Sequence, residues 1–414
     1  MLINNNQDFI KQLDGGVCQV KGVKAAGFKE GKYGVAVIYS PMSTSTGVYT
    51  SNKIIASPLV HTKEVLKDNK LSIIVANSGN ANCFTGQQGL KDCEQIVQKT
   101  SQLLDINPDN IATASTGVIG RKMPMNIILP LLEKTTKNLE HSNKASEYAA
   151  KAIMTTDTIH KEYAMEVTLE NGKKVRIGGM VKGSGMIAPN MATMLCFITT
   201  DAIIDKYHIN HVLQTAVKKS FNMLVIDGDE STNDMAILMA NGKANCNVIK
   251  YDGTVDKNFQ KGLETLCIEL AKKMAKDGEG ATKFIQANVN SAKTEEDAIK
   301  ASKSVISSSL VKSAIFGGDP NWGRIIAAIG YSEIDMDPNN ITVTLSSKNN
   351  SIDLIKNGEI LAFEGTTHLK EAENIMKEKE IFIDVDLYKG DYNASAYGCD
   401  LTYDYVKINA EYTT

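Results

Sequence analysis

No basic face, no long apolar run and no histidine-centred motif stands out in this sequence, and each lack removes a class of function. The 45 Lys and Arg against 48 Asp and Glu leave a net charge of −3. Nucleic-acid binding needs a concentrated basic face to neutralise phosphates, and no long basic run is present. The longest apolar stretches, such as Leu71–Ala76 and Met194–Ile198, fall far short of a membrane span. The opening segment MLINNNQDFIKQLDGG has no basic region followed by an apolar one, so a cytoplasmic rather than a secreted protein is expected. Seven cysteines are scattered singly without a CxxC, which fits a reducing compartment and thiols used as small apolar fillers. The six histidines form no HExxH and no cluster with cysteine. His208 and His211 could share a helix face, but a surface pair accounts for them, and no metal is expected. No G-x-x-x-x-G-K-[ST] occurs, and DGEGATK at 277–283 follows a helical pattern and precedes a strand, the reverse of a phosphate loop. Without a G-x-S-x-G, and with no histidine in a glycine-rich loop, a Ser-His-Asp triad is also set aside.

What is there reads as an ordinary globular chain. Its 414 residues are 43% hydrophobic and 22% charged, enough for two domains or one large domain with an appendage. Short strands alternate with amphipathic helices. Gly34–Ser40, Leu71–Ala76, Lys173–Val181 and Ala192–Thr199 read as strands. Gln88–Leu104, Asn126–Leu132, Ser146–Met154, Ile209–Phe221, Asp256–Lys276 and Ala301–Ile315 read as helices, with Phe259, Leu263, Leu266 and Leu270 on one face of the fifth. From Asn340 onward the texture is hairpin-like: ITVTLSS, Ile352–Ile355 before a KNGE turn, the alternating Ile381–Leu387, and a final strand over Leu401–Ala410. A seam within 277–294 divides a larger domain, residues 1–285, from a smaller one, residues 286–414.

The stretch KGSGMIAPNMATMLCFITTD, from Lys182 to Asp201, passes from glycines and small residues directly into an apolar run. A threonine hydroxyl is a poor nucleophile unless a base stands beside it. Cutting the chain before Thr193 would free an α-amino group that titrates at about 7.7–8.0, a usable base at neutral pH. Ala192 is small, and Gly183, Gly185 and Pro189 permit an unusual backbone path. An uncut loop-to-strand turn is the other reading of the same residues. ATASTGVIGR at 112–121 can aim a hydroxyl and a backbone N–H at a developing oxyanion, or serve as a plain turn. NSGNAN at 77–82 could bind carboxylates or amines, or form an Asx-rich turn.

Together these stretches resemble the ornithine acetyltransferase family, the bifunctional glutamate N-acetyltransferase of arginine biosynthesis. The ordered motifs are ANSGNAN (76–82), STGVIGRKMPM (115–125), TTDT (155–158), KGSGMIAPNMATML (182–195), DGDESTND (227–234), DGEGATK (277–283), FGGDPNWGR (316–324) and YVKINAEYTT (405–414). The resemblance implies an α/β/β/α sandwich of the kind found in self-cleaving aminopeptidases, plus a smaller C-terminal α/β domain. It implies self-cleavage between Ala192 and Thr193, and a heterotetramer of two α and two β chains. Thr193 is then the nucleophile that takes acetyl from N-acetylornithine and passes it to glutamate. Thr116 and Gly117 match the family's oxyanion-hole pair; Thr156, Lys182, Thr193, Glu279, Asn409 and Thr414 match its substrate-binding positions. Chemically, Lys182 supplies a point charge for a carboxylate. Glu279 can receive an ammonium, and Asn409 and Thr414 offer neutral donors and acceptors. No cofactor is expected; acetyl-CoA, which some members use as donor, stays open as a co-substrate. A self-cleaving aminopeptidase or amidase of the same fold is the alternative, and an uncut amino-acid-binding protein is a second.

Overall fold

The computed structural model describes residues 8–188 and 194–411. In chain order these form β1 (Ile10–Leu13), β2 (Lys24–Glu30), β3 (Tyr33–Tyr49), α1 (Ser57–Val65), β4 (Lys70–Ser78), α2 (Gly86–Leu104) and β5 (Ile111–Ser115). Then come α3 (Met125–Lys137), α4 (Asn143–Ala152), β6 (Lys161–Thr168), β7 (Lys174–Lys182), β8 (Leu195–Thr200), α5 (Ile209–Lys218), β9 (Leu224–Val225), β10 (Met235–Ala240) and α6 (Lys257–Lys276). The remainder is β11 (Phe284–Ala292), α7 (Glu295–Ser307), α8 (Ser309–Gly317), α9 (Trp322–Gly330), β12 (Thr342–Ser346), β13 (Ser351–Lys356), β14 (Glu359–Ile360), α10 (Thr367–Ile375), β15 (Glu380–Asp386), β16 (Tyr392–Cys399) and α11 (Tyr403–Glu411).

One long strand organises the first sheet, whose order is β1-β6-β7-β8-β10-β3-β4-β5, with β2 also on β3. The first half of β3 pairs with β2 and β4, and its second half pairs with β10. Between the halves the register against β4 shifts from Tyr39 to Ser43, and Met42 takes a φ of 52°. Pro41 lacks a ladder donor, so a bend is cheapest here. The sheet doubles over, and strand alternation then serves three cores. Ala36, Ile38, Ile74 and Ala76 share the inner core with Met180, Leu195, Phe197, Met235 and Ile237. Val35, Val37, Ile73 and Val75 turn outward onto Ile96 of α2 and Leu132 of α3. Cys196, Ile198, Ala236 and Leu238 turn outward on the other side, onto Val212 of α5 and Leu263 of α6. This is the expected α/β/β/α order, and it explains why strands such as Leu195–Thr200 carry no polar alternation: both faces are buried.

The predicted stripe of α6 is correct, since Phe259, Leu263, Leu266 and Leu270 are all fully buried. Each contributes about 1.5–3 kcal/mol relative to exposure. The second sheet runs β14-β13-β12-β15-β11-β16-β9, so Leu224–Val225 joins strands from the C-terminal part of the chain. Two expectations fail. Ala301–Ile315 is not one helix: Ser308 is extended and its side chain accepts from Val311 N–H, restarting the chain as α8. Leu401–Ala410 is not a strand: Tyr403–Glu411 is helical, with Thr402 Oγ1 accepting from Tyr405 N–H at 3.3 Å. The alternating, aromatic LTYDYVKINA imitates a strand, but the local Thr402 cap favours the helix.

Candidate active site

The turn after β5 is built by amides. Thr116 N–H donates to Asn77 O at 3.0 Å, Asn77 Nδ2 to Asn80 O at 2.9 Å, and Asn80 Nδ2 to the carbonyls of Arg121 and Lys122 at 3.1 Å each. Asn233 Nδ2 adds bonds to Ala81 O at 2.6 Å and Ser115 O at 2.8 Å. Of the two readings of NSGNAN, the structure shows the turn: its amides are committed to backbone. Gly117 has a φ of 131°, and a Cβ there would lie 2.5 Å from Asn80 N and Gly79 C, so only glycine fits. Thr116 is thereby held buried beside a rigid bend, with Gly117 next to it.

Lys182, the last residue of β7, pairs across from Leu195 at the head of β8. The residue is only 3% exposed. Nζ donates to Thr155 Oγ1 at 2.9 Å and to Thr116 Oγ1 at 3.3 Å, and stands 3.9 Å from Asp157 Oδ2. Asp157 Oδ1 accepts from Gly183 N–H at 2.7 Å and from Lys161 Nζ at 2.7 Å. Lys161 is fully buried and also donates to Asp277 Oδ2 at 2.5 Å. Two lysines thus face two aspartates in a dry network joining the TTDT loop, β6, β7 and the end of α6. Burial pushes the Asp157 carboxyl up, but Lys182 and Lys161 outweigh it and hold the group below the usual carboxylate range. Burial pushes the Lys182 ammonium down from the ordinary lysine value; Asp157 opposes this and Lys161 adds to it.

The site continues through Ser184. Its Oγ lies 2.8 Å from Thr156 Oγ1, and its carbonyl accepts from Glu279 N–H at 2.8 Å. The Glu279 carboxylate lies against Gly185, where a Cβ would come within 2.4 Å of it. Asn409 Nδ2, from α11, donates to Glu279 Oε2 at 2.9 Å. The helix that replaced the expected strand is what brings Asn409 there.

The DGDESTND motif anchors the backbone on either side of residues 189–193. Asp227 accepts from Met186 N–H at 2.6 Å and Ile187 N–H at 2.8 Å, and buried Asp234 accepts from Met194 N–H at 3.0 Å. Ala192, Thr193 and Thr414 lie outside the described residues. FGGDPNWGR is a structural joint: Asn321 caps α9, and Trp322 Nε1 donates to Ala362 O at 2.8 Å.

The structure therefore connects Thr116, Lys182, Thr156, Glu279 and Asn409 in one chain of contacts. Sequence reasoning missed the roles of Thr155, Asp157, Lys161, Ser184 and Asp277. Four of these lie in motifs already singled out, but Lys161 lies in none of them.

Comparison with known proteins gives the same direction. Residues 19–414 match the ArgJ family. The chain is 53% identical to a glutamate N-acetyltransferase of Methanothermobacter thermautotrophicus over 405 residues, covering 98% of this chain and 99% of that one. It is 52% identical to the enzyme of that name from Methanocaldococcus jannaschii over 409 residues, covering 98% and 100%. A crystal structure of the arginine biosynthesis bifunctional protein argJ from Bacillus halodurans is 39% identical, with a TM-score of 0.47, over 52% of this chain and 97% of that one. The chain belongs to the ArgJ family.

Proposed function

We propose that the protein is a glutamate N-acetyltransferase that moves acetyl from N-acetylornithine to glutamate through an acetyl-Thr193 intermediate. The observation that carries this is the bond from Lys182 to the Thr116 hydroxyl at the head of β8, two residues along the chain from Thr193. Cleavage between Ala192 and Thr193 frees the Thr193 amine. The Thr193 hydroxyl then attacks the acetyl carbonyl while that amine takes its proton. The tetrahedral oxyanion is held by Thr116 and Gly117. Collapse breaks the C–N bond, the proton goes to the departing amine, and ornithine leaves. Glutamate's amine attacks the ester carbonyl, and N-acetylglutamate leaves as Thr193 regains its proton. Lys182 meets the substrate carboxylate, Glu279 an ammonium, and Thr156, Asn409 and Thr414 the remaining polar groups.

Acetyl-CoA is an alternative donor in this scheme, without a resident cofactor or metal. The working form is a cytoplasmic heterotetramer of two α and two β chains, independent of nucleic acid and membrane. Residues 1–285 form the catalytic unit, and 286–414 complete it with Asn409 and Thr414. Two-substrate kinetics test the reading: parallel double-reciprocal lines and acetylglutamate formation are expected. Ornithine release without glutamate at the full rate would instead mean an amidase, with water as acceptor. Thr193→Ala should abolish cleavage and turnover together, and an uncut but active variant would overturn the scheme.

A further inference from the structure

We infer that Lys182 also acts on the oxyanion, through Thr116: by donating to Oγ1 it forces the Thr116 hydroxyl to present its own hydrogen to the pocket. This rests on the reading of Thr116 and Gly117 as the oxyanion pair. An ammonium has three hydrogens and no lone pair; a hydroxyl has one hydrogen and two lone pairs. At 3.3 Å from Lys182 Nζ, Thr116 Oγ1 can only accept. Its hydrogen must point elsewhere, and no hydrogen bond uses it among the described residues. Thr155 Oγ1 accepts a second ammonium hydrogen at 2.9 Å, which fixes the direction of the first. A neutral lysine reverses this. Its lone pair would accept the Thr116 hydrogen and turn an oxygen lone pair toward the developing negative charge. Lys182 is therefore a positioning residue for the hole as well as a partner for the substrate carboxylate.

The charge on Lys182 is set from several elements. Asp157 faces it from the loop after α4, Lys161 from β6, Asp234 from the segment before β10 and Glu279 from the loop after α6. Asp277 stands behind Lys161 and takes part of that charge. Burial and Lys161 favour loss of the Lys182 proton, while Asp157, Asp234 and Glu279 favour its retention. Since the balance lies below the ordinary lysine value, kcat should fall on the alkaline side at a pH lower than a free lysine would give.

The test is kcat and KM across neutral to alkaline pH for the wild type, Thr116→Ala, Lys182→Met, the double variant and Lys182→Arg, each normalised to its cleaved fraction. Thr116→Ala and Lys182→Met should each lower kcat by about 10²–10³-fold. The double variant should be no worse than either single, because both remove one donor. Lys182→Arg should keep kcat within about tenfold and lose the alkaline limb, because a guanidinium does not deprotonate. Lys182→Met that raises only KM, or losses that multiply in the double variant, would overturn the inference. Unchanged kcat in Thr116→Ala would instead overturn the oxyanion reading beneath it. Should Lys182→Met not fold, an alkaline limb that stays in place in Lys182→Arg is the contradicting result.

Discussion

The two ends of the site differ in how they are held. At the Lys182 end, Lys161 is fully buried, Lys182 is 3% exposed and Thr116 is 5% exposed. The lysine–aspartate and lysine–threonine bonds there cross between elements: Lys161 to Asp157 and Asp277, Lys182 to Thr155 and Thr116. At the Glu279 end the carboxylate is half-buried, and its side-chain partner is Asn409 on an exposed terminal helix. Charges in a dry, cross-braced setting are pre-organised, and that is what transition-state stabilisation needs. A half-open carboxylate with a movable amide tolerates different partners. In the proposed reaction both amino acids share an α-carboxylate and an acetylated or acetylatable amine, and differ at the side-chain tip. On that proposal the rigid end would read what they share, and the open end what differs.

Variants can break or sharpen this contrast. Lys161→Met has the largest expected effect, leaving Asp157 and Asp277 buried without their shared cation. A loss of about 3–5 kcal/mol is expected in chemical denaturation. A stable Lys161→Met protein would mean that the network does not brace the site. Thr116→Ala comes next, at about 2.7–4 kcal/mol of transition-state stabilisation, seen as lower kcat with little change in denaturation midpoint. At the open end, Glu279→Gln should raise KM for N-acetylornithine about tenfold, or about 1.4 kcal/mol, with kcat nearly kept. Equal damage to kcat would place Glu279 with the rigid group. Smallest is Asn409→Ala, expected to change KM at most about fivefold and stability by less than about 0.5 kcal/mol. A loss as large as that of Thr116→Ala would remove the contrast between the ends.

Much of the fold was legible because its strands obey simple rules. Leu71–Ala76 is apolar but for Ser72 and buried on both faces, and Ile381–Leu387 alternates because one face is half-buried. The bend at Pro41–Met42 was hidden, since it depends on which strands flank the two halves of β3. Helix α11 was misread because its alternation outweighs a single threonine cap. Within the site, Gly117 and Gly185 were visible as glycines, but their reasons were not: one packs on Asn80 and the other under Glu279. Lys161 was illegible, because a lysine becomes a buried brace only when Asp157, four residues before it, and Asp277, far along the chain, converge on it.

The most direct measurement of the central claim is the intact mass of the denatured protein, before and after incubation with N-acetylornithine without glutamate. The account predicts two fragments meeting at Ala192/Thr193, with one acetyl group gained by the fragment that begins at Thr193 and lost again when glutamate is added. A single uncut chain, or a cleaved protein that never carries the acetyl group, would contradict it.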